Sequence, residues 1–266
     1  MRKRITAIVC GLALVTSLLV LAACSGSSGD TGTGSTSTDN PASKTYTIAT
    51  DTTFAPFEFQ DAQGNYVGID MELLDAIAKD QGFDYKVNAV GFDAALQAVT
   101  SGQADGVIAG MSINDDRKKT FDFSEPYFDS GVVMGVSSKD DSIKSYADLE
   151  GKTVSVKIGT EGATFADGIK DQYGFKITQF KDSAMMYADV VGGNSQACFE
   201  DYPVMGYAIS KNVGLKIVTD MERGSSYGFA VAKGKNPELL QKFNAGLANI
   251  KANGTYQQIL DKYIQK

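Results

Sequence analysis

Apolar residues recur in two alternating patterns from residue 44 onward, one typical of helices and one typical of strands. In residues 70–81, Leu73, Leu74 and Ile77 fall on one helical face, and Gly82 follows as a helix terminator. Short apolar runs separate such helical segments and predict strands. Strands that alternate with helices predict an α/β architecture with mostly parallel sheets.

The same patterns give bounds for each element. The predicted strands cover residues 46–50, 85–90, 104–109, 131–136, 153–157, 176–180, 196–200, 215–218 and 227–232. The predicted helices cover residues 70–81, 93–101, 163–173, 183–192, 203–212, 237–253 and 255–264, with a helical turn at 115–119 and Asp93 as the candidate N-cap of the second helix.

Polar residues follow several of the predicted strands, and they come from both halves of the chain. In α/β sheets, ligands bind at the carboxyl ends of the strands. The residues in these positions are Asp51, Gly110 to Ser112, Lys157 to Thr160, and the pair Glu200 and Asp201. This arrangement predicts two α/β lobes that face each other across a cleft.

The N-terminal 43 residues differ from the rest of the chain. Residues 1–23 combine a basic start with an apolar run and have the layout of a signal peptide. Residues 21–24, LAAC, resemble the lipobox of bacterial lipoproteins, in which Cys24 becomes the lipidated N-terminus; a transmembrane anchor or a plain secretory signal is the alternative. Residues 24–44 form a polar linker that cannot bury enough apolar surface to fold. These residues are expected to form a flexible tether.

Composition excludes several classes of function. The full chain carries a formal net charge of −7, and removal of residues 1–23 takes away three basic residues, which leaves −10. An acidic chain without a basic patch gives no reason to expect nucleic-acid binding. The chain has no histidine, which removes Ser-His-Asp and Cys-His catalysis, and Cys198 is the only cysteine after the linker. We therefore expect no metal, no cofactor, and a buried Cys198.

Several long motifs resemble one protein family in register over residues 45–266. They read IATDTTFAPFEF, YVGIDMELLDAIAK, IAGMSINDDRKKTFDFSEPY, VSVKIGT, CFEDYP and NGTYQQILDKY. Together they resemble the polar amino-acid substrate-binding proteins of bacterial ABC transporters (solute-binding protein family 3), with the glutamine-binding proteins as the nearest branch.

The resemblance implies a type II periplasmic-binding-protein fold, in which two lobes close on a ligand about a two-strand hinge. Lobe 1 is then expected at residues 45–126 plus 230–266, and lobe 2 at residues 132–224. The hinge is expected at 127–131 and 225–229.

The resemblance also assigns the ligand backbone to residues on both lobes. Arg117 is expected to bind the α-carboxylate with its planar guanidinium, although the run DDRKK is also compatible with a solvated charged surface. Gly110 and Ser112 are expected to supply backbone groups. Thr160 lies in the matching loop of lobe 2, where simple turn chemistry is the alternative. Asp201 is expected to bind the α-ammonium, or to act as a helix N-cap.

The family positions that contact the ligand side chain match Asp51, Phe54, Phe92 and Lys157, while Phe57 is expected in the core. For Phe54 and Phe92, a place as ordinary core aromatics is the alternative. Binders of lysine, arginine and ornithine resemble this pattern at Asp51 but lack the lysine. A Lys157 ammonium donates to a carbonyl and Asp51 accepts from an amide N–H, so this pair favours glutamine. The alternative is a surface lysine paired with Asp51 or Glu161.

Two positions depart from the glutamine-binding pattern. Glu161 stands where glycine is expected, and Glu200 stands where histidine is expected; both are possible ligand contacts. A basic amino-acid or glutamate binder therefore remains open. A dehydratase of the same fold acting on prephenate or arogenate, with Asp51, Glu200 and Lys157 as acid and base groups, is the enzyme alternative. A surface adhesin or sensory module is a third.

As a transport receptor, the chain is expected to be a monomer that acts with a membrane permease and a cytoplasmic ATPase. The predicted lipid anchor on Cys24 places it on the extracytoplasmic face of the cell membrane. Such an anchor suits a Gram-positive cell, where a free receptor would be lost by diffusion.

Overall fold

The computed structural model describes residues 44–264. The predicted signal peptide, Cys24 and all of the predicted linker except Lys44 lie outside the described residues, so they stay predictions. Among the described helices, none combines the length and the apolar character that a membrane-spanning helix requires.

Each of the seven predicted helices is present within two residues of its predicted bounds. The helices are α1 (Ile69–Gln81), α2 (Phe92–Thr100), α3 (Glu161–Tyr173), α4 (Ser183–Val191), α5 (Tyr202–Ser210), α6 (Pro237–Ala252) and α7 (Thr255–Tyr263), with 3-10 turns at Arg117–Lys119 and Tyr146–Leu149.

The predicted N-cap of α2 is wrong. The helix begins one residue earlier, at Phe92, and Gly91 occupies the N-cap position. Asp93 lies inside the first turn, where its carboxylate accepts a hydrogen bond from Gln97 one turn later, at 2.6 Å. Gly82 ends α1 in the left-handed conformation, as predicted.

Within residues 44–264, fourteen strands form three sheets. They are β1 (Thr45–Thr50), β2 (Thr53–Phe54), β3 (Glu58–Gln60), β4 (Tyr66–Val67), β5 (Asp84–Ala89), β6 (Gly106–Val107), β7 (Phe121–Phe123), β8 (Phe128–Ser137), β9 (Thr153–Lys157), β10 (Lys176–Phe180), β11 (Ala197–Asp201), β12 (Leu215–Ile217), β13 (Glu222–Tyr227) and β14 (Ala230–Ala232).

The first sheet has the order β5-β1-β6-β14-β7 and forms the centre of what we call lobe 1, together with α1, α2, α6 and α7. Strand β1 pairs in parallel with β5 and β6, whereas β14 runs antiparallel to β6 and β7. Because β1 lies between β5 and β6 and runs parallel to both, the residue that follows it, Asp51, lies at the carboxyl edge of these strands.

The second sheet has the order β10-β9-β11-β8-β12, with β13 also paired to β8, and forms the centre of lobe 2 with α3, α4 and α5. Strands β9, β10 and β11 are parallel, and β8 runs antiparallel to β11. Lys157 is the last residue of β9 and Asp201 is the last residue of β11. Their side chains therefore lie at one edge of this sheet.

Two predicted strands differ from the structure. Only Gly106–Val107 of the predicted strand 104–109 is a strand. The Ile108 N–H still donates to the Ala49 carbonyl of β1 at 3.2 Å, but the Ile108 carbonyl accepts the Thr50 hydroxyl, at 2.6 Å. The predicted strand 227–232 is two strands: β13 ends at Tyr227 in the second sheet, and β14 begins at Ala230 in the first. The chain passes from one lobe to the other between them.

Residues 124–127 and 228–229 connect the two lobes side by side. The Ser124 N–H donates to the Phe229 carbonyl at 2.8 Å, and the Tyr127 N–H donates to the Tyr227 carbonyl at 2.9 Å. These bonds join the two connections into a short ribbon between the lobes.

Candidate functional site

A small cavity of about 10 Å³ lies between the carboxyl edges of the two sheets. Its lining includes all nine residues that the sequence assigned to ligand contact, together with Glu161. The lining residues are Asp51, Phe54, Phe92, Gly110, Ser112, Arg117, Lys157, Thr160, Glu161 and Asp201.

An ion pair between the lobes lines this cavity. The Lys157 ammonium of lobe 2 donates to Asp51 Oδ2 of lobe 1, and each side chain is 1% exposed. The other Asp51 oxygen accepts the Thr52 N–H at 2.6 Å, and the ammonium lies 4.8 Å from the centre of the Phe54 ring. The interpretation of Lys157 as a surface lysine is therefore wrong, whereas its pairing with Asp51 is confirmed.

Arg117 also lines the cavity, from a 3-10 turn of lobe 1. Its guanidinium donates to the Ser112 carbonyl at 2.7 Å and to the Gly159 carbonyl of lobe 2 at 3.0 Å, and it lies 5.2 Å from the centre of the Phe92 ring. Burial lowers the Arg117 pKa, while the charges of Glu161 and Asp201 oppose that shift. The guanidinium thus lines the cavity and the residue is partly buried, whereas its neighbours Lys118 and Lys119 are exposed.

Asp201 faces the cavity from lobe 2. It occupies the N-cap position of α5 but makes no side-chain cap; Oδ2 instead accepts the Tyr227 hydroxyl at 2.6 Å. Burial and the neighbouring Glu200 raise the Asp201 pKa to about 7, and the Tyr227 hydrogen bond and Arg117 limit the rise. The pKa of this carboxyl therefore lies near neutral pH, where a cationic ligand group would favour its ionised form.

Glu200 does not line the cavity. It lies behind Asp201 and accepts hydrogen bonds from the Ser183 hydroxyl at 2.9 Å, the Tyr187 hydroxyl at 3.1 Å and the Asp201 N–H at 3.0 Å. Burial raises its pKa, and the Lys157 charge opposes that rise. Glu200 therefore orients the backbone at Asp201 from outside the cavity.

Gly110 of lobe 1 and Thr160 of lobe 2 line the cavity from the loops that follow β6 and β9. Gly110 has φ +50°, and a Cβ there would lie 2.4 Å from the Phe54 ring, so only glycine fits. Thr160 is the N-cap of α3, where its hydroxyl accepts the Ala163 N–H at 3.2 Å. Turn chemistry thus explains the Thr160 side chain, and the residue also lines the cavity.

Several residues that hold the site, Asp70 and Tyr227 among them, were not found by sequence reasoning. Asp70 Oδ2 accepts the Gly110 N–H and the Tyr127 hydroxyl, each at 2.8 Å, and burial raises the Asp70 pKa to about 6. Burial, then the charge of Asp70, raises the pKa of the fully buried Glu58 well above its usual range. A carboxylate on the apolar face of α1, in line with Leu73 and Leu74, was the available signal for Asp70.

Tyr227 is another residue that sequence reasoning missed. Its hydroxyl donates to Asp201 and accepts from Ser130 at 3.0 Å, while its ring packs 5.0 Å from that of Phe57, a core residue as predicted. Tyr227 lies 26 positions from Asp201, in a strand with no apolar alternation. No local pattern indicates that contact.

The fold and the cleft residues define a two-lobed binding protein of the type II periplasmic class. The chain belongs to the bacterial extracellular solute-binding proteins, family 3, whose family model matches residues 46–266. The resemblance to amino-acid solute-binding proteins is therefore confirmed.

Curated relatives cover most of the chain. An arginine-binding periplasmic protein of Mannheimia haemolytica is 32% identical over 221 residues, which is 82% of this chain and 90% of that protein. A probable histidine-binding protein of Neisseria gonorrhoeae is 32% identical over 258 residues, which is 96% of this chain and 94% of that protein.

Solved structures extend the range of ligands. The second substrate-binding domain of Lactococcus lactis GlnP, in an open conformation, is 46% identical over 85% of this chain and 97% of that chain, with a TM-score of 0.60. An ancestral arginine-binding protein bound to glutamine is 38% identical over 84% of this chain and 98% of that chain, with a TM-score of 0.77.

The enzyme alternative is not supported. The family and the curated relatives are binding proteins. One similar structure is an ancestral amino-acid-binding protein described as a precursor of cyclohexadienyl dehydratase, 33% identical over 83% of this chain and 96% of that chain, with a TM-score of 0.76. Even that neighbour is described by amino-acid binding.

Proposed function

We propose that this protein binds one polar amino acid, with glutamine favoured, and delivers it to an ABC transporter. The buried ion pair between Lys157 and Asp51 is the observation that carries the choice of glutamine. Arg117 and Asp201, on opposite lobes, supply the opposite charges that the carboxylate and the ammonium of an amino acid require.

The ligand carboxylate is assigned to Arg117. Its two terminal guanidinium nitrogens, Nη1 and Nη2, donate to the carbonyls of Ser112 and Gly159. Together they form a fork that matches the two oxygens of a carboxylate. The ligand ammonium is assigned to Asp201, which Tyr227 already holds in one orientation. A preoriented carboxylate loses less conformational freedom when the ligand binds.

The ligand side chain is assigned to the Lys157 and Asp51 pair. A neutral amide offers a carbonyl to the ammonium and an N–H₂ group to the carboxylate, so it satisfies both members of the pair. Asparagine is one methylene shorter. Glutamate brings a second negative charge toward Asp51, and the guanidinium of arginine brings a second positive charge toward Lys157; unpaired like charges at a buried site are unfavourable.

A basic amino acid is the second candidate. Three carboxyl residues (Asp51, Glu161 and Asp201) line the cavity, against two cations (Arg117 and Lys157). The relatives named for arginine and histidine binding point the same way. Glutamine remains favoured because Lys157 is held against Asp51 with both side chains buried.

We further propose that the lobes close on the ligand by bending at the ribbon of residues 124–127 and 228–229. The chain matches the glutamine-bound ancestral protein with a higher TM-score than it matches the more identical domain solved in an open conformation. A closed arrangement in the described conformation agrees with the bonds between lobes at Arg117 and Lys157.

Binding is tested by calorimetric titration of the purified protein after removal of any bound ligand. We expect one-to-one binding of glutamine, with weaker binding of glutamate, asparagine, arginine and histidine. Arg117→Ala should weaken glutamine binding at least about thirtyfold, since loss of one partner of a buried charge pair costs about 2–5 kcal/mol. Lys119→Ala, at an exposed neighbour, is the matched control. The absence of binding for every amino acid tested would refute the proposal.

The partners and the location follow from the same function. We propose that a monomer, anchored to the extracytoplasmic face of a Gram-positive cell membrane through lipidated Cys24, delivers its ligand to a permease driven by a separate ATPase. A second acyl chain makes such anchoring stable. Cys24→Ala should appear in the culture medium; retention of that variant in the membrane fraction would refute the anchor.

A further inference from the structure

Glu161 occupies a position that connects the two lobes. It is the first residue of α3 in lobe 2 and is 7% exposed. Its Oε2 accepts a hydrogen bond from Asn114 Nδ2 of lobe 1 at 2.8 Å, and its Oε1 pairs with Arg223 of lobe 2 at 3.2 Å. Each carboxylate oxygen therefore has a protein partner, one on each side of the cleft.

The geometry of Asn114 fixes which way its amide points. Its Oδ1 accepts the backbone N–H of Arg117 at 2.8 Å, so its Nδ2 is directed at Glu161. The contact to lobe 2 is thus built on the same turn that carries the guanidinium. Movement of Asn114 away from Glu161 separates this turn from α3.

Arg223 holds Glu161 from the opposite side. It has φ +47°, in the left-handed region, at a register shift between β13 and β8, and its guanidinium lies 5.6 Å from the centre of the Phe165 ring. A non-glycine residue in this conformation is unfavourable unless its surroundings hold it there. Both residues of this pair belong to lobe 2, so the pair does not depend on closure.

We propose that Asn114, Glu161 and Arg223 form an interlobe latch that stabilises the closed conformation without contacting the ligand side chain. Asn114 and Glu161 join only when the lobes meet, while Arg223 keeps Glu161 in position when they separate. The inference rests on the proposed closure. According to this inference, Glu161 increases the affinity for every ligand by the same factor. Asp51 and Lys157 determine which ligand is preferred.

The latch is tested by replacing its hydrogen-bond donor, the Asn114 amide, with an acceptor. Asn114→Asp keeps an oxygen for the Arg117 N–H but places a carboxylate against Glu161, which disfavours closure. Because a hydrogen bond to a charged group is worth about 1.5–3 kcal/mol, we expect the Kd for glutamine and for every other amino acid bound to rise by one common factor of about tenfold or more.

The double variant Asn114→Asp with Glu161→Gln restores a donor and an acceptor, and should return the Kd toward that of the wild type. Asp115→Asn, at the exposed neighbour, is the control and should change nothing.

The outcomes separate the latch from the proposed function. If the wild type binds an amino acid and Asn114→Asp binds it equally well, the latch is wrong. If the factor differs between ligands, Glu161 contacts the ligand side chain and the latch is also wrong. If the wild type binds no amino acid, the proposed function fails, and small-angle X-ray scattering of the ligand-free protein decides the latch. Asn114→Asp must then have a larger radius of gyration than the wild type and the double variant; equal radii overturn it.

Discussion

Two lysines of lobe 2 show, at the scale of single residues, how burial changes what an ammonium group does. Lys157 and its partner Asp51 are each 1% exposed, whereas Lys170 and Asp167 in α3 are 37% and 69% exposed. An exposed pair contributes about 0–1 kcal/mol. Removal of one partner from a buried pair costs about 3–5 kcal/mol, because the remaining charge is left without compensation.

We therefore predict that Lys157→Met changes the ligand preference. The Asp51 carboxylate loses its partner when the lobes close, and a ligand with a cationic side chain can replace it. Glutamine binding should weaken about tenfold or more, and arginine binding should strengthen relative to wild type. Calorimetric titration with both ligands measures this. Lys170→Met, the same change in the exposed pair, should leave both affinities as they are; an unchanged preference in Lys157→Met would contradict the assignment.

Because the pKa of the Asp201 carboxyl is raised, we predict that ligand binding depends on pH. Its pKa is raised to about 7, chiefly by burial and by Glu200. A ligand ammonium requires the ionised carboxylate, so Asp201 must lose any proton it holds as the ligand binds. Affinity should therefore fall as the pH is lowered through about 7, by up to about tenfold per pH unit for one proton.

Calorimetry in two buffers with different ionisation enthalpies detects this proton release. Near neutral pH, the apparent binding enthalpy should differ between the buffers by the amount that the released proton requires. Asp201→Asn should bind more weakly and lose the dependence on buffer. The same enthalpy in both buffers for the wild type would show that Asp201 is already ionised in the free protein.

At the scale of secondary-structure elements, local pattern predicted the long elements and missed the short ones. The apolar face of α1 and the terminator Gly82 lie within one stretch of sequence, so the helix was predicted to within one residue at its start and ended where expected. Strands β2 and β4 contain two residues each, too few to show any alternation. Strand β13, ERGSSY, pairs with β8 although it has no apolar face of its own.

The start of α1 depends on a glycine that the pattern does not explain. Gly68 has φ +128°, and a Cβ there would lie 2.2 Å from the Phe57 carbonyl oxygen, a backbone atom that cannot move aside cheaply. We predict that Gly68→Ala lowers the free energy of unfolding by about 2–6 kcal/mol, from backbone strain and overpacking together. Urea unfolding measures this.

Gly82 provides the matched control for Gly68. It also has a positive φ, +60°, but a Cβ there would have no heavy atom within 4 Å, so Gly82→Ala adds only conformational strain. That change should cost about 1–2 kcal/mol. Equal losses in the two variants would show that the contact with Phe57 is unimportant.

At the scale of the whole molecule, strand-end residues and the family resemblance together predicted a cleft between two lobes, but not the contacts that hold it. The pair of Lys157 and Asp51 spans 106 positions, and that of Asn114 and Glu161 spans 47. Contacts at such separations depend on how the sheets face each other, which no local periodicity encodes. The resemblance supplied the residues of the first pair, whereas Asn114 matches no assigned position and was missed.

Closure should be visible as a change in the size of the molecule. The bonds of Arg117 to Gly159 and of Lys157 to Asp51 join different lobes, so both break when the lobes separate. Ligand that binds between the lobes favours the conformation in which these groups meet, and thereby shifts the population toward it. We predict that glutamine reduces the radius of gyration in small-angle X-ray scattering, with the change saturating at one ligand per protein.

Arg117→Ala separates ligand-driven closure from nonspecific compaction. At a glutamine concentration that saturates the wild type, this variant should keep the larger radius, because it lacks the group assigned to the ligand carboxylate. Lys119→Ala, in the same turn, should compact as the wild type does. A wild-type radius that is unchanged by bound glutamine would mean that the ribbon at 124–127 and 228–229 does not bend on binding, and that the ligand enters a cleft already formed.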